Sequence, residues 1–193
     1  MLKRLEVKAY GRKKGHSATA ASAYRAGEQI RCDKHERIHD YRNRTDIQFS
    51  TFDPRFDSRQ ALWNKVERAE KNKNATVARE FLIALPNEWD QERQAEFSLE
   101  FVDMLADNHG FAWQLDIHGG KGENPHAHIL VSTRRYDEDA GEFTEKTREL
   151  DGPRGGGKMT SYWREQYEDM VDDWHEPEFT PEQSQKYDQM LRI

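Results

Sequence analysis

The chain has 193 residues, 35% of them apolar and 34% charged, with a formal net charge of −6. That length suits one domain with at most a short appendage, and no apolar run approaches the ~20 residues of a membrane span or the apolar centre of a signal peptide. A lone Cys32 excludes an intrachain disulfide and a multi-cysteine zinc site, so a protein of the reducing cytoplasm is the expectation. The charge is uneven: residues 1–75 carry 18 Lys and Arg against 10 Asp and Glu, and the remainder 12 against 26. A basic first third can attract phosphates within an acidic whole.

Leu2–Tyr10 alternates apolar and charged residues as a strand does. Gly11–Gly15 reads as a basic turn, and Ser17 as the cap of a helix running through the Ala-rich stretch to about Arg31. Residues 32–57 are polar and read as irregular. Ser58 opens a second helix, with Leu62, Val66 and Ala69 on one face and Trp63 beside them. Arg79–Leu85 reads as a buried strand stopped by Pro86. Asp90 then starts a helix carrying Phe97, Phe101, Met104 and Leu105, closed by Gly110. Phe111–His118 and Ala127–Thr133 read as two strands joined by Gly119–Pro125. Residues 134–157 form an acidic, Gly-rich connection with a hairpin around Asp139–Gly141. Trp163, Tyr167, Met170, Val171 and Trp174 recur at helical spacing and read as core, and Thr180-Pro181-x-Gln183 signals a last short helix.

The most specific chemistry lies in Asp116-Ile117-His118 and Asn124-Pro125-His126-Ala127-His128. His126 and His128 are two apart, so on a strand both leave the same face, and an antiparallel neighbour brings His118 to them. Three neutral imidazoles supply half an octahedral shell and leave positions open for substrate or water. The donor set favours Mn²⁺, with Mg²⁺, a harder cation that prefers oxygen, as the alternative. Asp116 is a candidate to orient a ligand histidine. His16, His35, His39, His109 and His175 lack such grouping and read as surface or capping residues.

Ser17–Glu28 surrounds Tyr24 with small residues, so this helix can approach a neighbouring backbone closely while the phenol stands proud. Tyr24 is therefore a candidate nucleophile, with Tyr41 as a rival and His16 or Glu28 as candidate proton acceptors.

The combination of HSATAASAYRAGEQI, AREFLIALP and HGGKGENPHAHILVSTR resembles the mobilisation relaxases of the MobA/MobL type, from Met1 to about Trp174. These belong to the superfamily of single-strand endonucleases named for paired histidines around a hydrophobic residue (the HUH motif). The resemblance implies an α+β fold with a central five-stranded antiparallel sheet and helices packed on its faces. It divides the chain into a relaxase domain at 1–175 and a helical tail at 176–193. It puts Tyr24 at the nucleophile position, His118, His126 and His128 at the metal ligands, and Glu80 at an acidic position near the site. Ala127 stands where the superfamily prefers a bulky hydrophobe, but its side chain belongs to the opposite face.

The implied reaction is metal-dependent nicking and transfer of one DNA strand at a plasmid's origin of transfer, through a 5′-phosphotyrosyl link. The implied partners are single-stranded plasmid DNA and accessory mobilisation proteins, with no membrane insertion, a bacterial cytoplasmic location and a monomer sufficient. Arg25, Arg42, Arg44, Arg79 and Lys121 are candidates for the DNA backbone. A rolling-circle initiator or transposase shares this chemistry. A non-catalytic single-strand binding module and a hydrolase of small phosphoesters are further alternatives.

Overall fold

Apolar residues on both faces of Thr76–Ala84, Phe111–His118 and His126–Asp137 make these the interior strands of a sheet covered on both sides. The structure, a computed structural model, describes residues 4–119, 124–152 and 155–175. The expected helix at Thr180, the tail at 176–193 and Lys121 lie outside the described residues. The strands are β1 (Leu5–Gly11), β2 (Gln29–Cys32), β3 (Arg37–Asp40), β4 (Ile47–Phe52), β5 (Thr76–Ala84), β6 (Phe111–His118), β7 (His126–Asp137) and β8 (Glu142–Lys146). The helices are α1 (Ala18–Ala26), α2 (Arg59–Ala69), α3 (Gln91–His109) and α4 (Gly156–Trp174). The central sheet runs β1-β5-β7-β6-β4, antiparallel throughout, which is the α+β architecture expected. β8 pairs with the far end of β7.

The two faces of the sheet hold two cores. Phe81, Ile83, Leu115, Ile117, Ala127 and Ile129 meet Phe97, Phe101 and Leu105 of α3 and Trp163 and Tyr167 of α4. Each fully buried Phe here stabilises the fold by about 1.5–3 kcal/mol, which offsets the low apolar content. On the other face, Ala18 and Ala21 of α1 and Leu62, Trp63 and Val66 of α2 pack over Ala78 and Leu130. Small residues let α1 lie close, and Ser22 Oγ donates to Gln114 Oε1 of β6 at 2.5 Å.

Three expectations are corrected. The first helix stops at Ala26, not near Arg31, because Gly27 takes a left-handed conformation (φ 62) and its N–H closes on the carbonyl of Ala23. Residues 32–57 are not irregular: β2 and β3 form a separate two-stranded ribbon, and β4 is an edge of the main sheet. Exposed charged residues at Arg31, Arg37 and Asp40 mask the strand pattern. His109 is buried rather than on the surface. Its Nδ1–H faces Glu149 at 2.9 Å, and its Nε2 accepts from the Trp163 indole at 2.9 Å, joining α3 to α4. No helix among the described residues is long and apolar enough to cross a membrane.

Candidate metal centre and nucleophile

β6 and β7 pair so that His118 lies opposite His126 and Asp116 opposite His128. With the strand period of two, His118, His126 and His128 leave the sheet together on the α1 side. Their ring centroids are 4.5–5.8 Å apart, and one ring nitrogen from each lies within 4.8 Å of the others.

Each ring has one nitrogen engaged by the protein. His118 Nε2–H donates to the carbonyl of Arg25 at 2.7 Å, His126 Nδ1–H to the carbonyl of Asn124 at 2.9 Å, and His128 Nδ1–H to Glu80 Oε1 at 2.6 Å. The lone pairs left over are therefore on His126 Nε2 and His128 Nε2, while that on His118 Nδ1 faces the Arg44 guanidinium, which a metal ion would have to displace. Burial lowers the pKa of His118 to about 4 and also lowers that of His128, so both are neutral near pH 7, the ligand form. Burial alone would raise Glu80, but the hydrogen bonds from His128 and Arg25 outweigh it and hold the carboxyl below the usual carboxylate range. Neutral imidazoles with fixed tautomers, one backed by a carboxylate, fit a divalent cation of borderline softness.

The C-terminal turn of α1 is fastened to this cluster. Arg25, the neighbour of Tyr24, turns inward: its Nε donates to Glu80 Oε1 at 2.6 Å and its Nη1 to the Ala21 carbonyl at 2.7 Å. Its Nη2 reaches the Tyr10 hydroxyl, which in turn donates to Glu80 Oε2 at 2.7 Å. Tyr24 faces outward, 48% exposed. The edge of Tyr41 meets its ring at 5.3 Å, and the Arg44 guanidinium lies over that ring, 4.2 Å from the centroid. Arg44 Nη1 donates to the Tyr24 carbonyl at 2.9 Å, while its Nη2 lies 3.4 Å from His118 Nδ1. Asp46 pairs with the same guanidinium. One side chain thus spans the candidate nucleophile and the histidine cluster.

The model of the MobA/MobL family matches residues 16–192. This chain belongs to the MobA/MobL family. Mobilization protein MobL of Acidithiobacillus ferridurans is 29% identical over 175 residues, covering 76% of this chain and 46% of its own. Probable mobilization protein MobA of Bifidobacterium longum (strain NCC 2705) is 30% identical over 144 residues, covering 71% and 26%. A solved chain described as the molecular basis of vancomycin resistance transfer in Staphylococcus aureus matches with a TM-score of 0.78 and 32% identity, over 90% of this chain and 92% of its own. The chain spans less than half the length of these two curated relatives.

Within this MobA/MobL fold the remaining candidates separate by burial. Arg79 is interior, bonded to Thr147 and Asp151, and Arg25 is equally enclosed. Neither guanidinium is presented to a phosphate, contrary to expectation. Arg42 is exposed and paired with Asp40. Asp116 shares the histidine face but binds Ser50 at 2.5 Å and Gln114 at 2.7 Å, and its described hydrogen bonds reach no histidine; burial raises its pKa to about 6. Glu80, two residues along β5 from Leu82, the cross-strand partner of His128, reaches a ligand ring instead. His16 accepts from the Gly11 N–H at the far end of α1, and Glu28 is held by Arg59. Tyr10 and Asp46 join the site without any sequence motif, although Arg44-x-Asp46 is a readable charge pair.

Proposed function

We propose that this chain is the nicking and strand-transfer domain of a plasmid mobilisation relaxase, acting on single-stranded DNA at an origin of transfer in the bacterial cytoplasm. The observation that carries the reading is the joint attachment of Tyr24 to the three histidines: Arg44 touches both the Tyr24 ring and His118, and the carbonyl of Arg25 holds the His118 ring. An anionic phosphodiester repels nucleophiles, and a divalent cation held by His118, His126 and His128 would supply neutralisation of its non-bridging oxygens. Mn²⁺ suits three nitrogens better than Mg²⁺.

The protein's own groups perform the rest. Glu80 and the Asn124 carbonyl fix the tautomers of His128 and His126. Arg44 orients the Tyr24 ring and adds positive charge beside the phosphate. The Tyr24 phenol gives up its proton as its oxygen bonds to phosphorus, and the P–O3′ bond breaks with one proton taken up by the departing 3′-oxygen, giving a 5′-phosphotyrosyl link and a free 3′-hydroxyl. One phosphate ester replaces another, so a 3′-hydroxyl can reverse the step without ATP.

Incubation with labelled single-stranded oligonucleotides tiling the origin of transfer of the carrying replicon tests this on a denaturing gel. The expected result is a covalent adduct that needs divalent metal and is absent from Tyr24→Phe, while Tyr41→Phe still forms it. An adduct formed by Tyr24→Phe, or cleavage without any adduct, overturns the proposal.

A further inference from the structure

A cleft of about 720 Å³ opens beside the amino-terminal half of α1, between the β2–β3 turn and the loop before β5, and no carboxylate lines it. We propose that this cleft is the track for the DNA backbone leading to or from Tyr24, with Arg37, Lys71 and Lys73 as its phosphate contacts. The inference rests on the proposed nicking function and assigns that function's DNA path.

Two connections make the cleft continuous with the candidate nucleophile. Ala20 lines it, and Tyr24 stands four residues on, on the same face of α1, after a rise of about 6 Å. His39 lines it as well, and two residues further Tyr41 touches the Tyr24 ring. A strand leaving the Tyr24–Tyr41 pair along α1 therefore enters the cleft directly. Cationic side chains along a groove with aromatic rings at one end are what a single strand requires: charge for the phosphates, ring faces for the bases.

The cations differ in availability. Arg12 and Lys34 are turned into the wall, Arg12 Nη2 onto Glu67 Oε2 at 2.5 Å and Lys34 Nζ onto the Glu70 carbonyl at 3.1 Å. They brace the cleft. The side chains of Arg37, Lys71 and Lys73 are exposed and make no hydrogen bond or ion pair among the described residues. Three cationic side chains without partners, one at the start of β3 and two on the loop before β5, in a region whose charge runs against the acidic net charge, serve an anionic ligand longer than one phosphate. A smaller ligand would leave part of the set unused.

The test is fluorescence anisotropy with a labelled (dT)20 strand in EDTA, so that binding is read apart from chemistry, at several salt concentrations. The triple variant Arg37→Gln/Lys71→Gln/Lys73→Gln is compared with a triple of equal charge change on the α4 side, Arg148→Gln/Lys158→Gln/Arg164→Gln, with melting curves for both. The expected result is at least a tenfold loss of affinity and a fall in salt slope of about 2 for the cleft triple alone, at roughly 0.7 per phosphate contact on a single strand. Equal affinity for the two triples overturns the cleft assignment and leaves the nicking proposal standing if the covalent adduct forms. Failure of the unaltered chain both to bind the strand and to form the adduct overturns the two together.

Discussion

The carbonyl oxygen of Arg25 accepts the Nε2–H of His118 at 2.7 Å, so the residue that follows the candidate nucleophile is bonded to a candidate metal ligand. The Arg25 side chain then reaches Glu80, which holds His128. Two of the three imidazoles are thus registered against α1 by one residue.

Arg25→Met should act through this register and not through DNA contact. Removing one partner of a buried ion pair leaves Glu80 with only His128 and Tyr10, a loss of about 3 kcal/mol, measurable by urea unfolding. The guanidinium is enclosed, so the salt slope of oligonucleotide binding should not change. A fall of about 0.7 in that slope would instead place Arg25 on a phosphate.

Glu80→Gln removes the anionic acceptor that fixes the His128 tautomer. Loss of such an orienting carboxylate typically weakens metal binding 10–100-fold, and titration calorimetry with Mn²⁺ should read a drop in that range. The variant should also resist acid better relative to the parent. The hydrogen bonds from His128 and Arg25 hold the Glu80 carboxyl below the usual carboxylate range against the opposing effect of burial, so its share of stability is present above the ordinary glutamate pKa and is lost as pH falls. Unchanged Mn²⁺ affinity would remove Glu80 from the metal site.

The sheet and its histidines were legible because they obey short periods. His126-Ala127-His128 needs only the strand alternation, and Gly119 and Pro125 mark in the sequence where β6 ends and β7 begins. Asp90 and Gly110 bracket α3 for equally local reasons. What the sequence hid depends on partners distant along the chain. Arg25 and Arg79 look like surface cations until Glu80 and Asp151 are seen beside them. Asp116 and Glu80 are both carboxyl side chains and nearly equally buried; register puts Asp116 opposite His128, but Ser50 and Gln114 hold it away, while Arg25 and Tyr10 hold Glu80 where it reaches that ring. β2 and β3 escaped notice because their charged faces remain in water.

Gly27 allows a comparison that separates backbone strain from crowding. Its φ is +62, and an added Cβ would come within 2.4 Å of Ile47 Cδ1; Gly141 has nearly the same φ, +64, with nothing within 4 Å. Gly141→Ala should cost about 1 kcal/mol, from the left-handed conformation alone. Gly27→Ala should cost more, because Ile47 must move and α1 ends at this residue. Urea midpoints of the two variants check this; equal losses would mean that Ile47 swings aside freely.

His109 predicts a pH dependence separate from the metal site. Burial lowers its pKa below 6.5, only partly opposed by Glu149. The unfolded chain therefore binds a proton at a higher pH than the folded one, and stability is lost as pH falls below 6.5. One proton contributes at most about 1.4 kcal/mol per pH unit. Protonated Nε2 cannot accept from Trp163, so the α3–α4 joint is where this loss is felt. His109→Gln should be less stable than the parent at pH 7.5 and should lose less on acidification to pH 5, as read by denaturation midpoints at each pH. Parallel curves for parent and variant would show that His109 titrates normally and that other groups carry the acid sensitivity.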